Sequence, residues 1–240
     1  MPIEMTDYKK YAETFGCTYR SVYKTDILRQ QSLLTYQNTL SKDDLVQFYG
    51  RSGKGYRLGF CALYINCAGN VEAYNNALEK NPSLMSVISN QHAYESASQS
   101  EYENKKDHYQ AEADSFHKLW IARQSSEIIT IGTSNTFIVL LQICAKYLAK
   151  TGLVVLTLYY EKDTAISIIL NHSKENDLSR LAMFDPCSGQ YETPLNKESG
   201  ALVLQLIQLT NNILTGYRSY GSVLAIIASP AINYPSNKIT

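Results

Sequence analysis

Two short segments hold the residue types that can do covalent chemistry. In Lys54-Gly55-Tyr56-Arg57-Leu58-Gly59-Phe60-Cys61-Ala62-Leu63, a cysteine follows a glycine-bearing loop at the start of an apolar run. In Phe184-Asp185-Pro186-Cys187-Ser188-Gly189-Gln190-Tyr191, a carboxylate closes a strand-like run. A thiol attacks as its thiolate, which needs a base to form it and a third group to orient that base. Cys61 is the candidate nucleophile, and a place at a helix N-terminus would lower its pKa through the helix dipole. Asp185 is the candidate orienting acid.

The base is the open question. His172 follows Cys61 and precedes Asp185, the order a Cys/His/Asp site needs. If 165–170 pairs with 181–184 as a hairpin, His172 sits at its turn, roughly 15 Å of strand from Asp185. A triad hydrogen bond spans about 3 Å. His172 therefore serves only with another register, and otherwise it is a solvated turn histidine. His92, His108 and His117 fall in a polar helical stretch and read as surface residues.

These residues must be positioned by the surrounding elements. The 240 residues are 45% hydrophobic, enough for a substantial core. Lys+Arg and Asp+Glu balance at 22 each, which argues against nucleic acid or an anionic membrane as the partner. Five cysteines in irregular spacing, with no CxxC pair, predict free thiols and no zinc ribbon. No metal or cofactor motif is present. The N-terminus lacks a classical signal peptide, and no apolar run reaches membrane-spanning length. The 19 tyrosines suit half-buried positions or a recognition surface.

Residues 1–50 read as a polar helical segment, with a capping pattern at Ser41 and Asp44. A buried helix is expected over 61–67, broken at Gly69, then a short helix capped by Asn70. From 83 to 123 a polar helix carries a stripe on Tyr102, Lys105, Tyr109, Ala113, Phe116 and Trp120. Thr133 or Ser134 caps an apolar helix ending before Gly152. Strands follow at 153–160, 165–170 and 181–184, with 171–180 as a polar turn. A helix over 201–217, a strand at 223–227 and a loop-like tail from Pro230 complete the chain. Helices first and an antiparallel sheet second is an α+β plan.

Gly59-Phe60-Cys61-Ala62-Leu63 resembles the nucleophile segment of the YopT-type cysteine peptidases, bacterial virulence effectors with a papain-like fold. Phe184-Asp185-Pro186, followed by Gly189, resembles that family's aspartate segment, with Cys187 in place of its usual asparagine. The order of elements over about 50–228 is similar as well. The resemblance implies an α+β papain-like fold, a helical lobe packed against an antiparallel β-sheet. It also implies a papain-like domain over 51–240 with 83–123 as an insert. Cys61 and Asp185 would take the catalytic roles. The family's histidine opens the first hairpin strand, where this chain has Asp163-Thr164-Ala165-Ile166-Ser167-Ile168. Thr164 stands in its place, and a hydroxyl has no useful basicity near neutral pH. The stretch before Cys61 also lacks the side-chain amide that commonly completes an oxyanion hole.

Three functions remain open at this stage. One is a thiol protease acting on a host protein through Cys61, His172 and Asp185. Another is a catalytically inactive papain-like pseudoenzyme that binds a partner protein. The last is an interaction protein in which the Asp-Pro turn is a coincidence. The resemblance implies a protein substrate or host protein partner, no cofactor, and non-classical secretion into host cytosol; a cytoplasmic protein fits the sequence equally.

Overall fold

Gly152–Tyr160 is apolar at nearly every position and is buried along both faces. A strand of this kind must have helices on each side of its sheet, and that is the architecture. A computed structural model describes residues 5–22, 57–79, scattered helical positions between 86 and 115, 126–131, 135–148 and most of 152–232. In chain order the elements are α1 (Met5–Thr14), β1 (Thr18–Arg20), α2 (Arg57–Asn66), α3 (Val71–Leu78), β2 (Glu127–Thr130) and α4 (Thr136–Ile143). After a π turn (Cys144–Leu148) come β3 (Gly152–Tyr160), β4 (Thr164–Glu175), β5 (Leu178–Asp185), β6 (Gly189–Glu192), β7 (Asn196–Lys197), α5 (Gly200–Thr215) and β8 (Val223–Ile232). The sheet order is β1-β6-β5-β4-β3-β8-β2, every pair antiparallel, with β7 beside β5. The architecture is α+β.

Strand alternation divides the core in two. Val154, Leu156, Leu158, Ile166, Ile168, Leu170 and Met183 face one way and pack with α4, the π turn and α5. Leu153, Val155, Ile169, Phe184, Ala225 and Ile227 face the other way and pack with α2 and α3. Seven consecutive residues of α2, Leu58 to Tyr64, are buried, as befits a helix apolar all round. Asn70 caps α3 as expected, its Oδ1 accepting from the Glu72 and Ala73 N–H groups at 2.9 and 3.0 Å. Of the expected stripe, Ala113 is buried and Tyr109 meets the Tyr159 ring edge-on at 5.1 Å, so this part docks on the protein's own core. Tyr102, Lys105, Phe116 and Trp120 lie outside the described residues, as do Ser41, Asp44, Thr133 and Ser134.

Several expectations are corrected. The polar turn over 171–180 is far shorter: β4 runs to Glu175 and β5 begins at Leu178. Backbone pairing to Leu181, Arg180 and Ser179 carries His172, Ser173 and Lys174 into the strand despite their polarity. Asn135 caps α4, accepting from the Phe137 N–H at 2.9 Å. Residues 18–20 form an edge strand, so the early chain is not helical throughout. β8 continues through Pro230 to Ile232. Among the described residues β2 pairs with β8 only as far as Ala228, so no described ladder bond on that edge is broken by Pro230.

Candidate functional site

Asp185 closes β5 one residue beyond the Phe184–Ile169 pair with β4, and Tyr217, just past the end of α5, reaches it. The first turn of α2 joins them through Arg57. Two contacts fix α2 against β5 and β6. The Tyr64 ring stacks on Phe184 with centroids 3.9 Å apart and planes 12° from parallel. Its hydroxyl donates to Gln190 Oε1 at 2.7 Å. Gln190 Nε2 in turn donates to the buried Glu192 carboxylate, which Arg20 and Arg180 bridge at 3.3 and 3.4 Å. The helix with Cys61 and the strand ending in Asp185 are thus held as one unit.

Asp185 is fully buried. Its Oδ1 accepts from the Cys187 N–H at 2.9 Å, and its Oδ2 accepts from Ser188 Oγ at 2.8 Å and the Tyr217 hydroxyl at 2.7 Å. The first two bonds are local and explain the Asp-Pro-Cys-Ser-Gly spelling. Pro186 holds Asp185 extended, and the carboxylate then closes an Asx turn on its own backbone. Gly189 follows at φ +128°, where an added Cβ would lie 2.5 Å from the Tyr19 ring and 2.8 Å from the Arg20 carbonyl. The Ser188 carbonyl also accepts from the Tyr19 hydroxyl at 2.7 Å.

Behind Tyr217 stands Arg57. Its Nη2 donates to the Tyr217 oxygen at 3.3 Å, and its guanidinium lies 4.8 Å from that ring's centre. Burial pulls the Arg57 pKa down, but the Asp185 charge, helped by Tyr217, more than offsets this, and the guanidinium is held above its ordinary range. Burial and then Asp185 push the Tyr217 phenol upward.

Cys61 is fully buried in α2, and its thiol donates to the Ser167 carbonyl at 3.7 Å. Burial first, then the Asp185 charge, push the thiol well above its ordinary pKa, with Arg57 opposing. Activated thiols are shifted the other way. The expected dipole effect does not arise either. α2 begins at Arg57, so Cys61 is its fifth residue and its N–H has an intrahelical acceptor.

The structure sets the Cys61 thiol on the Ser167 carbonyl, and the β4–β5 register, Ile169 opposite Phe184, carries Asp185 to the level of the adjoining Ile168. It does not bring His172 to them. His172 pairs with Leu181, four residues and about 13 Å of strand from Asp185. Strand alternation also turns it the opposite way from Asn171, whose amide faces Gly69 beside α2. His172 is buried rather than a solvated turn residue. Thr164 opens β4 opposite Tyr160. His92, His108 and His117 lie outside the described residues. Two members of the cluster went unread in the sequence. Arg57 had a signal, since i and i+4 share one face of a helix and Arg57 precedes Cys61 by four. Tyr217 had none beyond its place at the end of an apolar helix. Among the described residues no group of His, Cys, Asp or Glu has the arrangement of a metal site.

No protein family and no curated protein matches the chain in sequence. One solved structure that it resembles is the crystal structure of the Pseudomonas avirulence protein AvrPphB, with a TM-score of 0.54 and 17% identity. The match covers 74% of this chain and 92% of that one. The fold is papain-like. Within that papain-like frame, a tyrosine and an arginine stand about Asp185, and a backbone carbonyl receives the thiol of Cys61.

Proposed function

We propose that this chain is a papain-like pseudoenzyme, an effector-type protein that binds a partner protein without thiol chemistry. One observation carries the reading. Asp185 accepts from Tyr217, backed by Arg57, where a catalytic site would need an imidazole. Neither group can take a proton from a thiol at neutral pH: a phenol is already protonated, and a guanidinium stays charged. The buried, upshifted Cys61 thiol supports the same reading. The likeness to an avirulence protein supports a host protein as the partner and host cytosol as the place of action.

The competing reading is a thiol protease in which Cys61 attacks and Asp185 orients His172. It draws on the proximity of Cys61 and Asp185 but needs an imidazole to reach both. Alkylation decides between them. A short iodoacetamide pulse at pH 7, resolved by site with mass spectrometry, is expected to label the exposed Cys187 and leave Cys61 unmodified in the folded chain. Labelling of Cys61 faster than Cys187 would restore the protease, whichever histidine supplies the base.

A further inference from the structure

α4 and α5 pack against each other on the same face of the sheet, and neither contains an Asp, Glu, Lys or Arg. The whole chain is 18% charged, and a surface helix ordinarily gathers its charged residues on the side facing water. Here that side shows Ile138, Leu141 and Gln142 on α4 and Leu204, Gln205 and Gln208 on α5, at the three- and four-residue spacing of one helical face. Ile138 is 51% exposed and Leu204 44%. Neither is needed to seat its helix, because Val139, Leu140 and Ile143 on α4 and Leu202, Leu206 and Leu209 on α5 are the residues buried in the core. The nearest charge along α4 is Lys146 in the π turn, and it is already bridged to Glu127 at 2.7 Å.

We propose that this face binds a second copy of the chain, forming a weak twofold dimer through α4 and α5. Charge selects the occupant. A twofold contact sets one patch against its own copy, so any charge near the axis meets a like charge. A face without charges escapes that cost. Its polar positions are amides, and an amide both donates and accepts, so Gln142, Gln205 and Gln208 can pair with their own equivalents. A helix that lies on a lipid surface carries Lys and Arg along its polar side, and these helices have none. A strongly charged partner protein would find no complement here. Size sets the strength. α5 has 16 residues, and two such helices side by side offer a footprint of roughly 24 by 20 Å, or about 500 Å². A stable interface covers about 800 Å² on each partner, so this dimer is reversible, with a dissociation constant on the order of tens of micromolar. The proposal does not rest on the pseudoenzyme reading, which Cys61 alkylation tests separately.

The test is sedimentation velocity on the full chain from about 1 to 300 μM, a range that brackets that constant. The natural sequence is expected to pass from monomer to dimer and no further. The association should hardly change between about 0.05 and 0.5 M salt, since no charge pairs hold it. Leu204→Glu and Ile138→Glu each place a like charge on both sides of the contact, and each should weaken it at least tenfold. Both positions are exposed, so both variants should melt with the natural chain; if one unfolds, the other still reads the face. Glu79→Lys, on the layer of α3 across the sheet, should dimerise unchanged. The proposal is overturned if the natural chain stays monomeric throughout, including the case where it instead binds phosphatidylcholine vesicles through Leu204. It is overturned equally if folded Leu204→Glu or Ile138→Glu dimerises like the natural chain, if Glu79→Lys is as monomeric as they are, or if association runs on to open-ended polymers.

Discussion

Cys61 and Asp185 are the residues a catalytic reading would choose, and on the pseudoenzyme reading proposed above their surroundings set each to another task. Asp185 is an anchor that ties the β5–β6 turn to the end of α5 and offsets the charge of Arg57. Tyr217→Phe removes two charge-assisted hydrogen bonds, the one donated to Asp185 and the longer one accepted from Arg57, and is expected to lower stability by about 1.5–3 kcal/mol in chemical denaturation. Asp185→Asn should cost more, about 3–5 kcal/mol, because it also leaves the Arg57 charge buried without its compensating anion. A variant as stable as the natural chain would contradict the anchoring role. The thiols add a pH dependence. Burial raises Cys17 to about 11 and Cys144 to about 12, and burial with Asp185 raises Cys61. Unfolded thiols ionise near pH 9 while the folded ones keep their protons, so the native state binds more protons above that point. Stability should therefore be level up to about pH 9 and fall as pH rises beyond it. Thermal melts from neutral to alkaline pH check this, and a melting temperature that climbs above pH 9 would contradict it.

At the scale of elements, α2 is fitted closely to its neighbours. A Cβ at Gly59 would lie 2.2 Å from the Val87 carbonyl oxygen, although alanine is the better helix former. Gly59→Ala is thus expected to destabilise the chain, and a stabilised variant would show that the helix and the Val87 segment are loosely packed. Asn70→Ala should cost about 1 kcal/mol by removing the α3 cap. The elements also show what a sequence reveals. β3 and β8 stood out by their β-branched apolar runs, and α5 by its periodic leucines and isoleucines. The second half of the β4–β5 hairpin did not, because His172, Ser173 and Lys174 owe their strand conformation to pairing with β5 rather than to their own preferences. β1, β2 and β7 are four residues or fewer, too short for any periodicity to show. β6 is fully buried and carries Gln190 and Glu192 inside, a polar pattern that becomes favourable only once Tyr64, Arg20 and Arg180 arrive from elsewhere.

At the scale of the whole molecule, the papain-like frame is kept with no sequence match to a known family. Of the candidate site, Cys61 and Asp185 were legible because short motifs surround them. Arg57 and Tyr217 were not, since their meaning comes from the meeting of α2 and α5 across 160 positions of chain. The frame brings a thiol and a carboxylate together, and the residues between them decide whether a proton can move. The pH–rate profile of Cys61 alkylation tests that point most directly. With no base coupled to the thiol, the rate in the folded chain stays near zero through neutral pH and rises only above pH 9. A plateau of rapid alkylation reached below pH 7 would reveal a thiolate paired with an imidazolium, and would contradict the account.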